Sequence, residues 1–166
     1  MGMFDELICH YPLPGYPKDR KSRIFQTKSL DCLMDLYTIT EDGRLVCDEK
    51  HDEYVPEHER PYPNEKGIKG MIRSVRTVVD KKDVLVNYTG PICFYDWEPA
   101  DPKKNKPVFS IEYFAYFDKG HLGAIIKSEE DWSENDGEHQ VYLAYEREKL
   151  NKAIAKTAWI KTKQHL

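Results

Sequence analysis

The stretch from Val108 to Lys127 constrains the fold more than any other part of the chain. An apolar, aromatic run, Val108 to Phe117, reaches Asp118-Lys119-Gly120 and returns as Leu122 to Lys127. A Gly-containing turn between two such runs predicts an antiparallel hairpin, because glycine supplies the positive φ that the reversal needs. Neighbouring residues of a strand point to opposite faces, so rings at Phe109, Tyr113, Phe114, Tyr116 and Phe117 load both sides of the sheet. With Phe109, Ile111, Tyr113 and Ala115 on one face, Phe114 and Tyr116 fall on the other. That second face is read as core, covered by an element from elsewhere in the chain. The alternative is an open aromatic platform for a protein partner or for stacked bases.

Other segments repeat the β pattern. Met3 to Tyr11 reads as a strand, followed by an extended loop that Pro12, Pro14 and Pro17 enforce. Ile24 to Thr27 reads as a short strand and Cys32 to Thr40 as another, and Asp42-Gly43 predicts that Leu45 to Cys47 pairs back on Leu36 to Ile39. Asp48 to Lys69 is polar and interrupted by Pro56, Pro61 and Pro63, which predicts a long exposed loop. Met71 to Val79 and Lys82 to Tyr88, joined near Asp80-Lys81, predict two consecutive strands, and Pro91 to Trp97 one more. The sum is a β-rich α+β chain with an antiparallel meander of about six to eight strands.

After the acidic stretch Ser128 to Glu138 the period changes. Leu143, Leu150, Ile154 and Ala158 fall near one face while Glu146, Lys149, Lys152, Lys156 and Lys163 lie elsewhere, which predicts an amphipathic C-terminal helix over 138–163 packed against the sheet. The apolar stripe suits this chain's own sheet or a second copy, and the sequence does not choose between them. The 166 residues suit a single domain, with 1–127 as the β-rich body.

Charge is uneven. The formal net charge is only −4, yet Glu41 to Glu59 holds eight acidic against two basic residues, and Arg147 to Lys163 holds six basic residues against Glu148. These runs are solvated faces or steering surfaces for a charged partner. No run of about 18 apolar residues exists, and the opening Met1 to Glu6 has no basic, apolar export signal, so a cytoplasmic chain without a membrane span is expected. Cys9, Cys32, Cys47 and Cys93 lie far apart, which fits reduced thiols better than a disulfide framework. A zinc site drawn from these cysteines with His10, His51 and His58 lacks the close ligand pairs such sites use, and only Cys47 and His51 approach that spacing.

Catalytic patterns are missing. No Gly-x-Ser-x-Gly elbow activates a serine, and Gly67-Ile68-Lys69-Gly70 is too short for a phosphate loop. The carboxylates Asp48-Glu49, Asp52-Glu53 and Glu129-Glu130-Asp131 are abundant, but abundance is not the convergent geometry that a metal-dependent nuclease needs. No catalytic residue, metal or cofactor is therefore assigned.

Met3-Phe4-Asp5-Glu6-Leu7-Ile8-Cys9, Tyr11-Pro12-Leu13-Pro14, Phe25-Gln26-Thr27-Lys28-Ser29-Leu30-Asp31-Cys32 and Tyr37 to Leu45 together resemble a group of small uncharacterised phage and prophage proteins. Weaker similarity continues through Tyr88 to Tyr95 and Glu112 to Phe117, up to about Ile126, and the basic helix looks like an addition. The group has no assigned activity. What the resemblance implies is a viral or mobile-element origin, in a bacterial cytoplasm.

The expectation is a non-catalytic accessory protein that binds another protein, such as a host factor or defence component. The candidate surfaces are the acidic run with Asp48, Glu49, Asp52 and Glu53, the basic helix with Arg147, Lys149, Lys152 and Lys156, and the aromatic face with Phe114 and Tyr116. The alternatives are nucleic-acid binding through the basic helix, continued by Lys161 and Lys163, and a metal-dependent enzyme built on the carboxylates or the Cys and His residues.

Overall fold

In the structure, a computed structural model describing residues 3–20 and 23–164, a β-hairpin does close the aromatic run. Met1 and Gly2 of the export-signal reading lie outside the described residues. The strands are β1 (Asp5–Cys9), β2 (Ile24–Thr27), β3 (Leu36–Ile39), β4 (Leu45–Tyr54), β5 (Val75–Leu85), β6 (Gly90–Glu98), β7 (Phe109–Asp118) and β8 (His121–Lys127). A single helical turn, α1 (Ile68–Met71), precedes β5, and a long helix, α2 (Glu134–Gln164), ends the chain. Hydrogen-bonded neighbours run in the order β5-β4-β3-β1-β2-β6-β7-β8, one sheet of eight strands. The fold is β-rich α+β. No helix among the described residues is long and apolar enough to cross a membrane.

The chain divides into two compact units, Met1–Val46 with Leu85–Leu166, and Cys47–Val84. In the first, β6, β7 and β8 form the expected antiparallel meander, with Cys93 opposite Phe114 and Ala115 opposite Ile125. The middle of the sheet departs from a meander. β1 is antiparallel to β2 but parallel to β3, with Leu7 opposite Tyr37. The segment after β2 therefore crosses the start of β1 before β3 can begin on its far side.

That crossover is pinned by Asp5. Its side chain is fully buried, and its carboxylate accepts from the backbone N–H groups of Cys32 (2.7 Å), Leu33 (3.0 Å) and Asp35 (3.0 Å). Three donors on one buried carboxylate satisfy a turn whose residues Cys32 and Met34 sit at φ 56° and 63°. The positive φ values explain why the strand expected from Cys32 is confined to Leu36–Ile39. A second clasp stands beside it. Buried Thr27 donates to Cys93 O at 2.7 Å, and the Cys93 N–H donates to Ser29 Oγ at 2.9 Å.

The core lies where the aromatic pattern placed it. Phe25, Phe94 and Tyr113 are buried and meet at ring-centroid distances of 5.1–6.1 Å. The Tyr113 hydroxyl donates to Pro14 O at 2.8 Å, which fastens the proline loop over that face. Arg20, also on this loop, reaches Asp96 (2.7 Å) and Glu98 (2.9 Å) and lies 3.7 Å from the Phe109 ring centroid.

The opposite face is covered by α2, which begins at Glu134, a turn earlier than expected, behind a cap in which Ser133 and Asp136 bond reciprocally. Gly137 and Val141 are the buried residues of the helix. Gly137 is required there, because an added Cβ would stand 2.1 Å from the Phe114 ring. The expected apolar stripe does not pack on the sheet. Leu143, Leu150 and Ile154 are 41%, 60% and 58% exposed, since the helix meets the sheet through Gly137 and Val141 and through Tyr142 and Tyr145 on Tyr116.

In the second unit the first part of the expected long loop is a strand, while 55–67, around Pro56, Pro61 and Pro63, is irregular and mostly exposed as expected. Asp48 to Tyr54 continues β4, and the two strands expected around Asp80-Lys81 are the single strand β5. The Asp48–Tyr54 stretch was hidden because its residues are polar and mostly exposed on both faces, so it shows no alternation of apolar and polar residues.

Candidate interaction surface

Burial sorts the sequence-predicted surface residues into three groups. Phe114 is fully buried beneath Gly137, and Tyr116 is covered by Tyr142 and Tyr145, whose ring centroids lie 5.5 Å and 4.5 Å away. The aromatic face is thus core and no platform. Tyr145 also donates to Asp118 at 3.0 Å, and burial of its ring, with that carboxylate alongside, raises its phenol pKa.

The acidic run is compensated by its own ribbon. Glu53 pairs with Arg76, Asp52 accepts from Thr77 Oγ1 at 2.7 Å, and Asp48 accepts from the Asp83 N–H at 2.9 Å. The Arg76 guanidinium lowers the Glu53 pKa, and Asp80, 2.7 Å from His51 Nδ1, raises that of the imidazole. Over 47–84 nine acidic residues face eight basic ones, so Asp48, Glu49, Asp52 and Glu53 belong to a nearly neutral unit.

The basic helix is the region left open. From Glu146 to Gln164 every residue of α2 is exposed, Arg147, Lys149, Lys152 and Lys156 among them. Lys149, Lys152, Lys156 and Lys163 recur at helical spacing along one side. Trp159, 59% exposed, shares that side, with Lys163 Nζ 4.3 Å from its ring centroid, and Ile160 lies next to it. Sequence reasoning passed over Trp159. Its signal was its spacing, seven residues after Lys152 and four before Lys163. At the sheet end the same side opens into a hollow of about 420 Å³ between α2 and the β7–β8 turn, where Lys119, His121, Lys149 and Lys152 outnumber Asp118 and Glu148.

The chemistry of the remaining candidates is inert. All four cysteines are free thiols, and burial pushes Cys9 up to about 11. Cys93 borders a hollow of about 230 Å³ with Ser29, Tyr95, Glu112 and Trp132, but burial first and then Glu112 hold its thiol protonated, which disables a nucleophile. Among the described residues no three His, Cys, Asp or Glu side chains converge as a metal site requires. His51 bonds to Asp80 and His58 to Glu59.

No protein-family model, no curated protein and no solved structure matches this chain. Residues of the N-terminal motifs serve the fold: Asp5 and Cys32 meet in the crossover, Thr27 and Ser29 clasp Cys93, and Pro14 receives Tyr113.

Proposed function

We propose that this is a non-catalytic accessory protein of the phage or prophage kind, which works inside a bacterial cell by binding another protein through the lysine side of α2. The observation that carries the reading is the combination on one exposed helical side of Lys149, Lys152, Lys156 and Lys163 with Trp159 and Ile160. Lysines alone fit any anion. A tryptophan and an isoleucine between them suit a groove with an apolar floor and an acidic rim, the mode in which a helix is bound by a protein, whereas a nucleic-acid duplex offers phosphates and little for Ile160 to cover. Aromatic residues are also the commonest anchors of protein interfaces.

The test is capture from a bacterial lysate with tagged full-length protein, beside Trp159→Ala and a variant with the four lysines changed to Glu. The expected result is one stoichiometric protein retained by the wild type and lost by both variants, whose circular dichroism is unchanged. Retained nucleic acid, released by about 0.3 M salt, transfers the function to the alternative reading. A partner that ignores both variants places the contact elsewhere and overturns the proposal.

A further inference from the structure

We infer that the outer face of α2 is an interface with a second copy of this chain, the two helices running antiparallel. Along that face, side chains recur from Asp136 to Lys161 at alternating steps of four and three residues, the period of a supercoiled helix pair. Leu143, Leu150 and Ile154 are its apolar members, and all three stand exposed. The face is free of the protein's own sheet: at about 100° per residue, Gly137, Val141 and Tyr145 point roughly 120–160° away from Leu143. A second helix can therefore lie along α2 with the two sheets on outer sides.

Charge selects the direction. The half of α2 from Glu134 to Glu148 has five acidic residues against Arg147, whereas Lys149 to Gln164 has five lysines and no acid. Antiparallel copies place each half against its complement. They also bring the face into self-register, because the steps of four and three read the same in both directions: Asp136 meets Lys161, Gln140 meets Thr157, Leu143 meets Ile154, and Arg147 lays its stem on Leu150. A parallel pair would stack Asp136, Arg147 and Lys161 each on its own copy. The exposed stretch Glu146–Gln164 also gives the pairing something to do, since an unsupported helix of this length is marginal in water. With few apolar contacts per helix, the dimer sits at the weak end of specific interfaces. The lysine side stays open in it.

The experiment is sedimentation equilibrium of the full chain over a hundredfold concentration range reaching about 0.5 mM. A monomer–dimer equilibrium is expected, and a wild type that stays monomeric throughout overturns the inference. Leu150→Lys, which sets a like charge against Arg147 of the second copy at a solvent-exposed position, should weaken the dimer by about tenfold or more with helix content in the monomer unchanged; an unaltered equilibrium also overturns it. Orientation is read by oxidation: Leu143→Cys with Ile154→Cys should cross-link between chains above the wild-type background, and either single variant should not. Cross-linking by a single variant would mean a parallel pair and refute the arrangement.

Discussion

The crossover at Asp5 and the outer half of α2 are both polar stretches of sequence, and they use polarity in opposite ways. In the crossover, one buried carboxylate replaces the water that three backbone N–H groups would otherwise need, so the turn is held by a few short bonds to a side chain that solvent does not reach. In α2, from Glu146 onward, polarity keeps nineteen exposed residues solvated and leaves them available. A buried polar group is costly to disturb because its partners lose everything at once, while an exposed one is replaced by water at little cost. The first region decides whether the chain folds, the second what it touches.

The sharpest way to break this contrast is Asp5→Ala, which takes the shared buried acceptor from three backbone donors. At about 1–3 kcal/mol for each unsatisfied group, the loss is a large part of a small domain's stability, and chemical denaturation should show a drop of about 3 kcal/mol or more, or no cooperative unfolding at all. Asp5→Asn keeps one acceptor and should fall between the two. A wild-type midpoint for Asp5→Ala would mean the crossover does not depend on its pin. Gly137→Ala ranks next. Alanine gains up to about 1 kcal/mol of helix propensity, but its Cβ at 2.1 Å from a buried ring forces α2 off the sheet, at about 1–3 kcal/mol or more for overpacking. A net fall in melting temperature of several degrees is expected, and a rise would show that the helix seat has slack. Ala155→Gly, in the free half, should cost less than about 1 kcal/mol and all of it locally: helix ellipticity drops and nearby amides exchange faster, while the global denaturation midpoint holds.

How much of this was legible in the sequence follows the same division. The hairpin of β7 and β8 was readable because two apolar runs flank a glycine turn, and the strand β2 because one-face burial writes a period of two into the chain. The outer half of β4, Asp48 to Tyr54, was not, because it is held by pairs such as Glu53 with Arg76 that leave no hydrophobic pattern, whereas most of β5 was expected as strand from its β-branched residues. The role of Asp5 was invisible for a different reason: its partners are backbone groups of a turn about thirty residues away, which no local spacing encodes. In α2 the helix was legible from the change of period, but its stripe Leu143, Leu150 and Ile154 stands exposed, and whether it packs on its own sheet was left open; the seat is made instead by Gly137, which contributes no hydrophobicity to any pattern. The lysines of the candidate surface were legible as composition. Their alignment with Trp159 needed the helix.

The smallest expected effect lies in the ribbon and has a definite sign. His51 Nδ1 stands 2.7 Å from Asp80, with Glu53 3.6 Å from the other ring nitrogen, and the pairing raises the imidazole pKa above its usual 6.5. A group whose native pKa is raised stabilises the native state fully below its unfolded value and ceases to do so as pH rises through the native one. The ribbon should therefore be tightest below about pH 6.5, where His51 is charged in folded and unfolded chains alike, and loosen on the alkaline side. Both partners are about half exposed, so the change is confined to the ribbon and screened by salt. An NMR titration of the His51 ring should give a pKa above 6.5 that moves toward it in 1 M salt, with protection of the amides near Lys50 and Asp52, corrected for the intrinsic rise of exchange with pH, falling at higher pH. His51→Gln should remove that pH dependence and leave the exchange of Cys93 and Tyr113 in the other unit untouched. If the ring titrates at or below 6.5, the pair with Asp80 does not form in water, and the ribbon is held without it by contacts such as those of Arg76, Thr77 and the Asp83 N–H.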